Sequence, residues 1–126
     1  MYKWGKKSSD LLATCDKRLQ DLANKMLECS DFDMTITCGY RGKEEQEQYF
    51  AEGKSKAHFG QSKHNTFPSK AIDICPYPIN WDKTDYRWWK MIALAYEVAR
   101  KNNINIRCGA FFTGLEDLPH IELIGE

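Results

Sequence analysis

The sequence predicts an α+β fold: a small, mostly antiparallel sheet with flanking helices. Two observations carry this. Two long stretches repeat apolar residues at helical spacing, and four short ones (34–38, 71–75, 104–108 and 120–123) are β-branched, apolar or alternating. The resulting order is helix, strand, helix, loop, strand, helix, strand, strand, and short adjacent strands flanked by helices suit an α+β layer architecture.

The elements follow in order. Ser8 or Ser9 is expected to cap a helix running to about Glu28, with Leu11, Leu12, Cys15, Leu19, Leu22, Ala23, Met26 and Leu27 on its apolar face. Met34–Cys38 alternates as a strand with Met34, Ile36 and Cys38 inward. Gly39-Tyr40-Arg41-Gly42 turns the chain into a short helix from Lys43 to about Ala51, which stops at Gly53. Residues 54–69 lack periodicity and read as a long loop, a frequent carrier of function. Ala71–Cys75 is an apolar strand interrupted by Asp73, and Pro76-Tyr77-Pro78 ends it. Asp85 caps a second long helix to about Asn102, with Trp88, Trp89, Ile92, Ala93, Ala95, Tyr96 and Ala99 on its buried side. Ile104–Cys108 alternates as a strand, Gly109 to Gly114 turns with Phe111 and Phe112, and His120–Leu123 closes the sheet with His120 and Glu122 on one face.

Composition narrows the function. At 126 residues the chain is expected to form one domain, residues 1–126, large enough for a core without covalent staples. Eighteen basic and eighteen acidic residues cancel, which argues against a nucleic-acid binder. The five cysteines include no CxxC pair, so a thiolate metal site is not expected. Cys15, Cys38 and Cys75 fall at core positions and read as buried free thiols, which suits a reducing cytoplasm. The basic start Met1–Lys7 has no apolar run behind it, so no signal peptide is expected, and no stretch is long and apolar enough for membrane insertion.

Two runs carry the chemistry: Ser62-Lys63-His64 through Ala71-Ile72-Asp73, and Asp117-Leu118-Pro119-His120. A carboxylate in a buried strand is costly unless it is paired or metal-bound, which singles out Asp73. His64, Asp73 and His120 supply nitrogen and oxygen ligands suited to zinc, with iron and manganese also acceptable. Three protein ligands leave a position for water, and Asp117 is near enough in sequence to move that water's proton. Arg41, at a strand exit, would stabilise an oxyanion on a substrate carbonyl. Each residue has an ordinary alternative: His64 in a solvated loop, Asp73 as a hydrogen-bonding acid, Asp117 as a turn former, Arg41 in a surface ion pair.

The order of these segments resembles the zinc D-alanyl-D-alanine carboxypeptidase and L-alanyl-D-glutamate peptidase family, which includes phage endolysins and has the Hedgehog/DD-peptidase-like fold. SKHNTFPSKAIDICPYPINW resembles its first metal-binding segment, DLPHIEL its closing segment and GYRGKEEQEQYFAEGKSK its upstream segment, together spanning roughly residues 34–124. The resemblance implies one zinc ion per chain on His64, Asp73 and His120, Asp117 as general base and acid, Arg41 polarising the scissile carbonyl, and Gln46 and Ser62 in support. It implies a monomeric enzyme that acts on peptidoglycan stem peptides as an L-alanyl-D-glutamate endopeptidase, made in the host cytoplasm and reaching the wall by holin-type release. A D-alanyl-D-alanine carboxypeptidase and a non-catalytic metal- or wall-binding module are the alternatives. The chain departs from the pattern in its wide His64-to-Asp73 spacing, at Ile121, and at Phe111-Phe112, where the pocket wall falls. His58 has no counterpart and reads as a loop residue.

Overall fold

Pleating gives the four strands two faces, and the fold follows from which face meets helices. In the computed structural model, which describes residues 1–113 and 116–125, the strands are β1 (Met34–Cys38), β2 (Ala71–Pro76), β3 (Ile106–Cys108) and β4 (His120–Leu123). They form one antiparallel sheet in the order β1-β2-β4-β3. Ile36, Ile72, Ile74, Ile106, Ile121 and Leu123 alternate along these strands and are all buried in the core. That core is completed by α2 (Lys17–Cys29) through Leu19, Leu22, Ala23 and Met26, and by α4 (Tyr86–Lys101) through Trp88, Met91, Ile92 and Ala95. Asp73, His120, Glu122 and Arg107 alternate to the other face.

The single N-terminal helix expected from the sequence is instead two, α1 (Lys6–Leu12) and α2. Gly5 precedes α1, whereas Ser8 is buried and its hydroxyl accepts the Ile36 amide at 3.0 Å. The chain breaks because its polar groups have better partners outside the helix. Asp16 caps α2 by accepting the Arg18 amide at 2.9 Å. The Asp16 amide donates to the Ser69 carbonyl, and the Ser69 amide donates to the Thr14 carbonyl, both at 2.8 Å.

Three smaller expectations also change. On α4, which Asp85 caps as expected, the buried side is Trp88, Met91, Ile92, Ala95, Val98 and Ala99. Trp89, Ala93 and Tyr96 are exposed: the Trp89 indole donates to the Lys83 carbonyl, and the Tyr96 hydroxyl accepts the Cys108 amide. Strand β3 starts at Ile106 rather than Ile104, because Asn103 adopts φ 56° and the Ile104 amide closes back on Ala99. The turn after β3 opens with a 3-10 segment, Gly109–Phe111; its expected end at Gly114 lies outside the described residues. The helix α3 (Lys43–Ala51) and the long 54–69 loop fall where expected, the loop holding a 3-10 turn at Lys63–Asn65. Cys15, Cys38 and Cys75 are buried free thiols, as is Cys108.

Candidate metal centre

Sheet register assembles half of the site. Asp73 on β2 pairs directly with His120 on β4, and a bulge in β1 brings Cys38 opposite Asp73. His64 arrives from the other side on the Lys63–Asn65 turn, where the Ser62 hydroxyl accepts the His64 amide at 3.2 Å. Two backbone bonds tie this turn down, from the Arg41 amide to the His64 carbonyl and from the Lys70 amide to the Lys63 carbonyl.

Each imidazole has one ring nitrogen committed as a donor. A carbonyl can only accept, so the 2.7 Å contact between His64 Nδ1 and the Gly39 carbonyl puts the proton on Nδ1. His120 Nε2 lies 2.8 Å from the Glu122 carboxylate and donates to it. This leaves His64 Nε2 and His120 Nδ1 facing each other at 3.2 Å. Asp73 Oδ1 is 3.1 Å from the first and 3.4 Å from the second. Bonds of roughly 2.0–2.2 Å in a tetrahedral shell put neighbouring ligands about 3.3–3.6 Å apart, so this triangle has nearly the dimensions of one face of such a shell. All three residues are buried.

Charge follows from that burial. Burial opposes a charged His64, but the Asp73 carboxylate beside it outweighs this and lifts the imidazole to about 10. Burial likewise opposes the Asp73 anion, yet the two imidazoles hold it well below the usual carboxylate range. His120 is raised against its own burial by Asp73 and Glu122. A cation between these atoms would take the place of the protons they attract.

Among the described residues, the donor groups that could hold a metal form two overlapping sets, Cys38 with His64 and Asp73, and Asp73 with Asp117 and His120. Cys38 Sγ faces His64 Nδ1 at 3.7 Å, the nitrogen already engaged by Gly39. The thiol therefore lies behind the ring and not on its lone-pair side. Asp117 Oδ2 stands 3.8 Å from His120 Nδ1 with its side chain partly exposed. Burial and the neighbouring Asp73 charge push its carboxyl upward. The Asp117 turn packs on Gly109, where an added Cβ would lie only 2.8 Å from the His120 Cβ.

Arg41 is buried beside the cluster, its NH2 3.8 Å from Asp73 Oδ2 and its guanidinium 4.2 Å above the Tyr49 ring. Its NH1 donates to Gln46 Oε1 at 3.0 Å, and its Nε has no partner among the described residues. Gln46 is fully buried and also accepts from Asn65 Nδ2 and donates to the Ala57 carbonyl. His58 lies apart, paired with Glu47 at 3.0 Å and with its ring tilted against Phe50. The site opens into a cavity of about 1270 Å³ lined by Arg41, Tyr49, Lys54, Lys63, Trp81, Arg107, Phe112, Asp117 and Glu122, among others. Sequence reasoning did not single out Glu122, Asn65 or Gly39 as site residues, although strand alternation already put Glu122 on the His120 face.

A buried His–Asp–His triangle at the floor of an open cleft, with a raised carboxyl at its edge, defines a candidate metallohydrolase site on an α+β scaffold. The family profile described as phage L-alanyl-D-glutamate peptidase matches residues 1–124. The L-alanyl-D-glutamate peptidase of Escherichia phage T5 is 34% identical over 139 aligned positions, covering 98% of each chain. The crystal structure of the Serratia marcescens L-Ala D-Glu endopeptidase ChiX superposes with a TM-score of 0.82 at 20% identity, over 97% of this chain and 90% of that one. The chain belongs to the phage L-alanyl-D-glutamate peptidase family.

Proposed function

We propose that this chain is a zinc-dependent peptidase that hydrolyses the L-alanyl-D-glutamate bond of peptidoglycan stem peptides, as an endolysin-type enzyme of one catalytic domain. The convergence of His64 Nε2, Asp73 Oδ1 and His120 Nδ1, each imidazole with its other nitrogen already committed, carries the reading. The family membership and the T5 relative support the choice of bond.

In this reading His64, Asp73 and His120 hold one zinc ion, and neutral imidazole with carboxylate is a donor set that zinc accepts. A bound zinc polarises a carbonyl and lowers the pKa of water toward neutrality. Asp117 takes a proton from the attacking water and returns it to the leaving amine, a role that suits a carboxyl raised toward the working pH. Arg41 contributes positive charge from beside the cluster toward an oxygen developing charge on the substrate. Gln46 and Ser62 act indirectly, Gln46 by fixing the guanidinium and Ser62 by fixing the His64 turn.

The enzyme works as a monomer and meets its substrate at the wall after synthesis in the host cytoplasm. Among the described residues no helix is long and apolar enough to cross a membrane. Digestion of purified muropeptides, with mass analysis of the new termini, tests the assignment. New L-alanine carboxyl and D-glutamate amino termini are expected. Release of terminal D-alanine would instead make it a carboxypeptidase, and no new termini with metal bound would make it a binding module.

A further inference from the structure

Glu122 is buried, and the proposed reaction gives it no step of its own. It is 6% exposed, on the same sheet face as His120 and two residues beyond it. Burying a carboxylate is costly unless its oxygens are satisfied. Here both are. Oε1 accepts His120 Nε2 at 2.8 Å, and Oε2 accepts Arg107 NH2 at 2.9 Å, with Lys63 Nζ 3.8 Å away. Register makes this arrangement possible, because Arg107 on β3 pairs directly with Glu122 on β4. The same Arg107 lies 4.7 Å over the Phe112 ring, and Phe112 stands 5.4 Å from the His120 ring. The imidazole is thus gripped at its edge by the carboxylate and on its flank by Phe112.

We infer that Glu122 is a positioning residue for the metal centre: its bond to Nε2 holds His120 with Nδ1 aimed at the point shared with His64 and Asp73. This rests on the metal reading of the site. A carboxylate behind a ligating imidazole fixes its tautomer and raises its basicity, and loss of such a partner weakens metal binding or activity about 10- to 100-fold. A plain cross-strand ion pair between Glu122 and Arg107 would make the His120 contact incidental, and the two accounts predict different outcomes.

The test measures zinc affinity by competition with a chromophoric chelator, and the visible spectrum of the cobalt-loaded protein, for wild type, E122A, E122Q and R107Q. E122A is expected to bind zinc about 10- to 100-fold more weakly, with an altered cobalt spectrum and a fall in kcat rather than a rise in KM. E122Q keeps an oxygen acceptor but loses the charge, and is expected to fall between E122A and wild type. R107Q leaves the His120–Glu122 bond in place and is expected to weaken zinc by less than about threefold. If E122A does not fold by circular dichroism, the near-isosteric E122Q decides. Zinc affinity within twofold of wild type in the folded variant, or a loss in R107Q equal to that in E122A, overturns the inference. Wild-type protein that binds no metal overturns the metal reading itself, and this inference with it.

Discussion

The Gly39 carbonyl accepts the His64 Nδ1 proton at 2.7 Å, so a backbone atom at the end of β1 commits one ring nitrogen of a side chain 25 residues away. Gly39 can reach this position only without a side chain. A Cβ there would lie 2.5 Å from the Leu11 carbonyl and closer still to Thr14 Oγ1. Gly39→Ala is therefore expected to cost about 1–3 kcal/mol, the usual range for overpacking. It should also lower zinc affinity, because moving the carbonyl releases the ring. Urea denaturation of the metal-free protein and a zinc titration read the two effects separately.

The proposed role of Asp117 is proton transfer, although its carboxylate also stands in one candidate donor set with Asp73 and His120. Asp117→Asn keeps its shape and removes its basicity, so kcat should fall about 10²–10⁴-fold while zinc content stays near one per chain. Full activity in this variant would remove Asp117 from the mechanism. Stopped-time muropeptide assays beside atomic absorption give both numbers.

Metal should also act as a folding ligand. A site that forms only in the native state stabilises it by RT ln(1 + [L]/Kd), about 4 kcal/mol at a thousandfold excess over Kd. Zinc should raise the melting temperature of wild type, a strong chelator should reverse the rise, and His64→Ala and His120→Ala should abolish it. An equal zinc shift in His64→Ala would place the metal elsewhere.

Much of the sheet and helix content was legible because its signals are local. The alternation at Met34–Cys38 and the Asp85 cap depend on neighbours in sequence, and both elements stand where they were expected, but the bulge after Ile36 puts Cys38 on the Asp73 face instead of inward. The break at Asp16 was not legible, because it depends on Ser69 crossing beside Thr14, a contact between distant segments. The same limit applies to the site. His64, Asp73 and His120 are conspicuous as residue types, whereas Gly39 and Asn65 matter through backbone position and packing. Arg41 lines the cavity, as a substrate-facing role would need, but its packing on Tyr49 and its bond to Gln46 join segments that are apart in the sequence and could not be read from it.

The cysteines give a simple check on the core. Cys29 is exposed, and Cys15, Cys38, Cys75 and Cys108 are buried. Burial pushes the Cys15 and Cys75 thiols up to about 12 and Cys108 to about 11, so near pH 8 almost none of these is the reactive thiolate. A thiol reagent should therefore modify Cys29 quickly and Cys15, Cys75 and Cys108 slowly in the native protein, and all of them quickly in guanidinium. Fast reaction of Cys15, Cys75 or Cys108 in the native state would mean that the core opens more readily than its packing implies.

Gln46 offers the sharpest test of how the floor of the site is held. Its Oε1 accepts from Arg41 and Asn65, and its Nε2 donates to the Ala57 carbonyl at 2.7 Å and to Ser55 at 3.1 Å, so one buried amide joins α3, the β1 exit, the 54–69 loop and the His64 turn. Gln46→Leu keeps the volume and removes every one of these bonds. It leaves the Arg41 guanidinium with a lost acceptor, and an unsatisfied buried polar group costs about 1–3 kcal/mol, more where it is charged. Stability should fall by at least that much. Activity should fall further than zinc affinity, because Arg41 loses its anchor while the donors on His64, Asp73 and His120 keep theirs. Urea unfolding, zinc competition and muropeptide turnover on the same preparation separate the three quantities. Equal losses of zinc affinity and turnover would show that Gln46 supports the His64 turn more than it supports Arg41.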